Sequence, residues 1–294
     1  KRQFKTMANN ETRKFKFQVI NIKLQTSKTG DAKLEAYETL IKRLKNRKIH
    51  SSVAENTHMI IYSYYKRETP VSNVGYLYGT IGKGIYFEKE VIRTLNIEKS
   101  EDEKEYSDKN KILEPKIGEY IFIPEAHRFI YINTSGISIN NIYKFLKESL
   151  PIVADKNDIV EVEIVKDPKI TDEILSAYQV HMLDYSVSYT NDDPTSSHEK
   201  LLDERLKRIF AGKLSVKVEA DNHGYLNTAD ELTGGGVRLS EQNGQVNEAI
   251  ITPKRGDKKI KLSNAEKPRF FDVESSEDNY KETIIGKIMR MIRK

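Results

Sequence analysis

The sequence predicts a mixed α+β or α/β protein of two lobes, in which helices cover sheets and a basic helix closes the chain. Three observations point there. Strand-type and helix-type hydrophobic periods alternate along the chain, one long polar stretch interrupts them, and charge is unevenly spread. The 294 residues suffice for one large domain or two ordinary ones.

The elements follow in order. Phe15–Leu24 alternates as a strand should. In Leu34–Lys48, Leu34, Tyr37, Leu40, Ile41 and Leu44 share one helical face, with cations crowding the other side and the end. Thr57–Arg67 reads as a strand and Gly75–Phe87 as a glycine-punctuated strand pair. Asn96–Lys111 is almost wholly polar, so the expected boundary divides residues 1–96 from 117–294 across a linker at 97–116.

Strands are predicted at Glu119–Ile123 and Arg128–Asn133 around Pro124. Ser138–Leu150 is a helix, capped by Ser138 and ended by Pro151. Asp158–Lys166 is a strand, Thr171–Ala177 a short helix and Val180–Tyr189 a strand, with a turn at Asn191–Ser197. Glu199–Ala211 is an amphipathic helix closed by Gly212, and Lys213–Ala220 a strand. Gly234–Gly236 reads as a flexible break before a short helix, Arg238–Asn243, and a strand, Val246–Thr252. Pro253–Leu262 is a basic hairpin turn, and Tyr280–Lys294 a basic amphipathic helix.

Composition excludes some chemistries. With no cysteine, disulfides, thiolate catalysis and zinc ribbons are out. No apolar run approaches the roughly 18 residues of a membrane helix. No apolar stretch follows Lys1–Asn10, so no signal peptide is read, stable membrane insertion is not expected, and a cytoplasmic location is. The six histidines show no HxH, HxxxH or HExxH spacing, so no metal site and no cofactor is expected. His127 reads as a structural hydrogen-bonding residue at a strand start. Gly79–Gly84 contains GxxGKG, but a phosphate loop needs a different spacing and a helix after it.

Charge carries the most information. Residues 1–48 hold 14 basic and 4 acidic side chains, net +10, and residues 253–294 hold 12 and 7, net +5. The chain as a whole is +5, which leaves −10 between them. Basic ends on an acidic body are expected to meet at one surface where a polyanion could lie. The candidate phosphate contacts are Lys42, Arg43, Lys45, Arg47 and Lys48, then Lys254, Arg255, Lys258 and Lys259. Lys287–Lys294 adds a third basic segment, whose apolar side suits packing within the chain or against a second copy. Tyr62, Tyr64, Tyr65, Lys66 and Arg67 interleave aromatic and basic groups, which suits base stacking as well as plain sheet packing.

Gly118–Asn133 (GEYIFIPEAHRFIYIN), Asp158–Lys166, Leu183–Asp192 and Asp221–Glu248 occur in an order that resembles an uncharacterised bacterial family associated with phage-defence gene neighbourhoods. The order is also distantly similar to RexA, the abortive-infection protein of lambdoid phage. The resemblance implies a dimer that binds DNA with little sequence preference and responds to infection, without catalysis.

The expected function is therefore nucleic-acid binding, DNA more than RNA, in an abortive-infection defence system. One alternative is a metal-dependent nuclease or toxin-like enzyme using Glu161 and Glu163, which share a strand face. The other is a protein-interaction or dimerisation module built on the terminal helix.

Overall fold

A computed structural model describes residues 12–292, except 71–72, 87–90, 97–100, 107–111, 134–135, 189–196, 209–212 and 223. The chain runs β1 (Arg13–Gln25), α1 (Gly30–Asn46), β2 (His50–Ala54), β3 (Thr57–Glu68), β4 (Gly75–Tyr86), β5 (Val91–Asn96) and β6 (Glu101–Tyr106). It continues with β7 (Ile112–Ile123), β8 (Arg128–Ile132), α2 (Ile139–Val153), β9 (Ile159–Ile164), α3 (Pro168–Leu175), β10 (Gln179–Val187), α4 (Ser197–Arg208) and β11 (Leu214–Glu219). A π-helical turn, Glu231–Gly235, leads into α5 (Gly236–Asn243), followed by β12 (Gly244–Thr252), β13 (Ile260–Leu262), β14 (Phe271–Ser275) and α6 (Tyr280–Ile292). The fold is mixed α+β, with helices packed on the sheets.

The large sheet is antiparallel, in the order β14-β1-β8-β7-β4-β3-β2, with β9 also paired to β1. β1 organises it. Phe17–Asn21 pair with β8 along one edge, while β14 takes Arg13–Phe17 and β9 takes Ile20–Gln25 end to end along the other. Its side chains alternate between two cores. Ile20, Ile22 and Leu24 face the core under α1 and α2, and Phe15, Phe17 and Val19 face the core under α6. Each such fully buried side chain contributes about 2 kcal/mol. A second sheet, β11-β10-β12-β13, carries a third core with α3, α4 and α5. β5 and β6 form a two-stranded hairpin.

Several expectations change. Gly75–Tyr86 is one strand rather than two. Two of its glycines are there because neighbours crowd it: a Cβ on Gly79 would lie 2.0 Å from the Ser63 carbonyl oxygen, and one on Gly84 2.4 Å from that of Leu113. The polar stretch Asn96–Lys111 is not only a linker: it contains β6, paired antiparallel with β5 just before it. A boundary at 97–116 does not divide the fold, because β4 pairs with β7 and β1 with β8, β9 and β14 across it. α2 runs through Pro151 to Val153, since a proline in the last turn forfeits a single helical hydrogen bond. Gly234–Gly236 is buried helix, not a flexible break; a Cβ on Gly236 would strike the Tyr185 ring. The expected Asn191–Ser197 turn and the Gly212 helix stop lie, but for Ser197, outside the described residues. Among the described residues, no helix is long and apolar enough to cross a membrane.

Candidate nucleic-acid interface

The first predicted cluster closes α1, and part of it is already occupied. Glu38 accepts from Lys42 at 2.9 Å and from Lys66 of β3 at 2.8 Å. Burial pushes the Glu38 carboxyl up, but the hydrogen bonds from Lys66 and Lys42 outweigh it and hold it below the ordinary value. Arg43 donates to Asp155 at 2.7 Å and to the Val153 carbonyl at 2.8 Å, tying α1 to the end of α2. Lys28 donates to the other Asp155 oxygen at 2.7 Å. Lys45 lies 5.8 Å from the centre of the Tyr62 ring. Of the five, Arg47 and Lys48 are exposed.

The second cluster differs. Lys254, Arg255, Lys258 and Lys259 occupy a turn between β12 and β13 whose residues 254–259 are all exposed. Asp257 shapes it: its Oδ2 accepts from the Lys254 amide at 3.2 Å, and its own amide donates to the Lys254 carbonyl at 3.0 Å. Gly256 supplies the left-handed residue at φ +92°, which only glycine adopts freely. Among the described residues none of these four cations forms an ion pair, whereas Lys261 just beyond is held by Glu248 at 2.5 Å. The half-exposed Tyr178 is anchored beside the turn, its amide donating to the Pro253 carbonyl at 3.1 Å. The turn's charge is felt at His181, whose imidazole is pushed down by burial and then by Lys259.

The two clusters are carried by different sheets, α1 packing on the large sheet and the turn joining β12 to β13 of the second. α1 covers the β1 face that carries Ile20, Ile22 and Leu24. The second sheet attaches to the opposite face, through Asn21 and Lys23. There Asn21 accepts from buried Arg128 at 2.6 Å and donates to Asn243 of α5 at 2.9 Å. β12 starts at Gly244 beside this junction and spans roughly 27 Å to the basic turn at its other end. The extremities of the chain do meet, through β1 and β14. Carboxylates meet them there: Arg13 bonds Glu277 at 2.6 Å and Lys14 bonds Asp272 at 2.6 Å. The third segment, on α6, buries Ile284, Ile285, Ile288 and Met289 in the protein's own core, and residues 293–294 lie outside the described ones.

An aromatic–cation strip that sequence reasoning only half found runs beside α6. Tyr65 stands 5.4 Å from Tyr78, and both Arg67 and Lys281 lie 5.3 Å from the centre of the Tyr78 ring. Lys281 also covers Tyr280 at 4.2 Å. Tyr280 stacks on Phe15 at 4.5 Å, and Arg13 caps that ring. Tyr65 is 58% exposed. The sequence singled out Tyr65 and Arg67; for Tyr78 the available signal was its i, i+2 spacing from Tyr76, which puts both on one strand face.

Glu161 and Glu163 do share a face, in register with Lys23 and Asn21 of β1. That face is the junction with the second sheet, and Lys23 is fully buried there, donating to Ser188. Burial pushes the Glu161 carboxyl up, with Lys23 pulling against it. Lys166 donates to the Ala265 carbonyl at 2.7 Å. Among the described residues no group of three or more His, Asp or Glu side chains is placed to hold a metal ion. His127 is a buried corner residue at φ +56°, packed 4.7 Å from the Tyr37 ring, with its carbonyl accepting from the Ile22 amide.

The family described as a domain of unknown function, DUF4747, matches residues 13–290. No curated protein matches the chain.

Proposed function

We propose that this chain, which belongs to the DUF4747 family, binds the phosphate backbone of nucleic acid with little sequence specificity through the turn Lys254–Lys259. The observation that carries this reading is four cations on one exposed six-residue turn, none held by a carboxylate among the described residues. Cations presented together release counterions from a polyphosphate, whereas Lys42 and Arg43 would first have to give up Glu38 and Asp155. Tyr178 beside the turn, and the strip of Tyr65, Tyr78, Arg67 and Lys281, offer ring faces to unpaired bases. The acidic middle of the chain keeps the protein from coating nucleic acid indiscriminately. The resemblance to phage-defence proteins would make this binding one step of an abortive-infection response, and a homodimer would present two such turns.

Fluorescence anisotropy with labelled duplex DNA, duplex RNA and a single strand, at several salt concentrations, tests the proposal. The expected slope of log affinity against log salt on duplex DNA is about −3 to −4, from four phosphate contacts. Reversing Lys254, Arg255, Lys258 and Lys259 to glutamate should abolish binding, while Arg47→Glu with Lys48→Glu leaves it within about threefold. No affinity at low salt, or unchanged affinity in the four-residue variant, rejects the turn as the contact.

A further inference from the structure

The β2–β3 hairpin brings together two histidines that lie eight residues apart in sequence. His50 and His58 stand diagonally across the two strands, on one face, with their Nδ1 atoms 2.8 Å apart. Tyr86 of β4 backs both rings, stacked on His58 at 4.4 Å and tilted against His50 at 4.7 Å. Both histidines are half-buried, so the pair is held yet reachable.

We propose that His50 and His58 form a two-imidazole binding site for a divalent transition-metal ion, copper foremost. Imidazole nitrogens sit about 2.0–2.1 Å from such an ion. Two of them in neighbouring positions at a right angle are then about 2.9 Å apart, and at a tetrahedral angle about 3.3 Å. The 2.8 Å separation matches the first geometry, which tetragonal copper(II) and nickel(II) favour over zinc. Copper(II) also binds nitrogen donors most tightly among the divalent first-row ions. Magnesium and calcium, which take oxygen ligands, do not fit. The tyrosine ring behind the pair restricts both imidazoles and lowers the ordering needed to bring their nitrogens onto one ion.

The alternative for the same geometry is a plain N–H···N hydrogen bond with no affinity for metals, and titration separates the two. Copper(II) added to the full chain should give one saturable site, with paramagnetic resonance showing coupling to two imidazole nitrogens. His50→Gln and His58→Gln should each weaken binding more than about tenfold, and His181→Gln should leave it unchanged. Because a variant could fail to fold, a second reading uses the unaltered protein: substoichiometric copper(II), being paramagnetic, should broaden the imidazole resonances of His50 and His58 selectively. Absence of saturable copper uptake, uptake that survives both variants, or broadening confined to other histidines would each overturn the assignment.

Discussion

Asp155 shows how a single side chain in this protein serves more than one element. It receives Lys28 from the loop before α1 and Arg43 from the helix itself, both at 2.7 Å. Those hydrogen bonds, Lys28 first and Arg43 next, hold its carboxyl down at about 2, against an ordinary value near 4. A depressed carboxylate contributes stability that is fully present above its unfolded pKa and disappears as pH falls through the folded one. Asp155→Asn is therefore expected to be less stable than the unaltered chain at neutral pH, with the gap closing between about pH 4 and pH 2. Urea unfolding followed at each pH checks it, and a gap that stays constant through that window contradicts it. Residues of this kind were not legible in sequence, because Lys28, Arg43 and Asp155 are far apart along the chain and nothing in their spacing joins them. The same holds for His50 and His58, which meet only because HSSVA forms a strand. That segment shows no clean alternation from which to read one.

At the scale of elements, patterning and punctuation were legible where apolar periods were strong. The N-terminus of α2 forms as its sequence implies. The Ser138 hydroxyl accepts from the Asn141 amide at 3.2 Å, and the Asn141 side chain accepts from the Ser138 amide at 3.3 Å. Ser138→Ala should cost about 1 kcal/mol in a denaturant melt, with Ser138→Asp nearly neutral; a loss below a few tenths would mean the cap is idle. Polar composition hid β6 (EDEKEY), because backbone pairing with β5 does not require apolar side chains. Glycine misled twice for one reason. Gly79 and Gly236 allow close approach of a carbonyl and an aromatic ring, not flexibility, and a lone sequence does not distinguish these uses.

For the whole molecule, a mixed fold with helix-covered sheets was readable from the alternation of periods, while its division was not. Strand pairing across the expected boundary depends on contacts between distant segments, which composition does not encode. Charge asymmetry was real, but its spatial meaning was not linear. The basic ends meet beside their own carboxylates, and among the described residues a cluster of four cations without ion pairs sits on a turn of the second sheet. Removing residues 271–292 should expose the Arg13–Phe17 edge of β1 and the core containing Phe15, Phe17, Ile121 and Ile130. Light scattering is expected to show that shortened chain as aggregate, because an open hydrophobic edge templates further pairing. A soluble monomer would show that β14 and α6 are dispensable.

The tandem partners along β1 carry a consequence for biosynthesis. Arg13 and its partner Glu277 are 264 residues apart, so a ribosome delivers β1 long before the segment that finishes its edge. Throughout that interval the nascent polypeptide carries a ribbon of unsatisfied amides and aromatic rings, a natural client for a holding chaperone. Yield in cells should thus depend more on translation speed and chaperone supply than on the melting temperature of the finished protein.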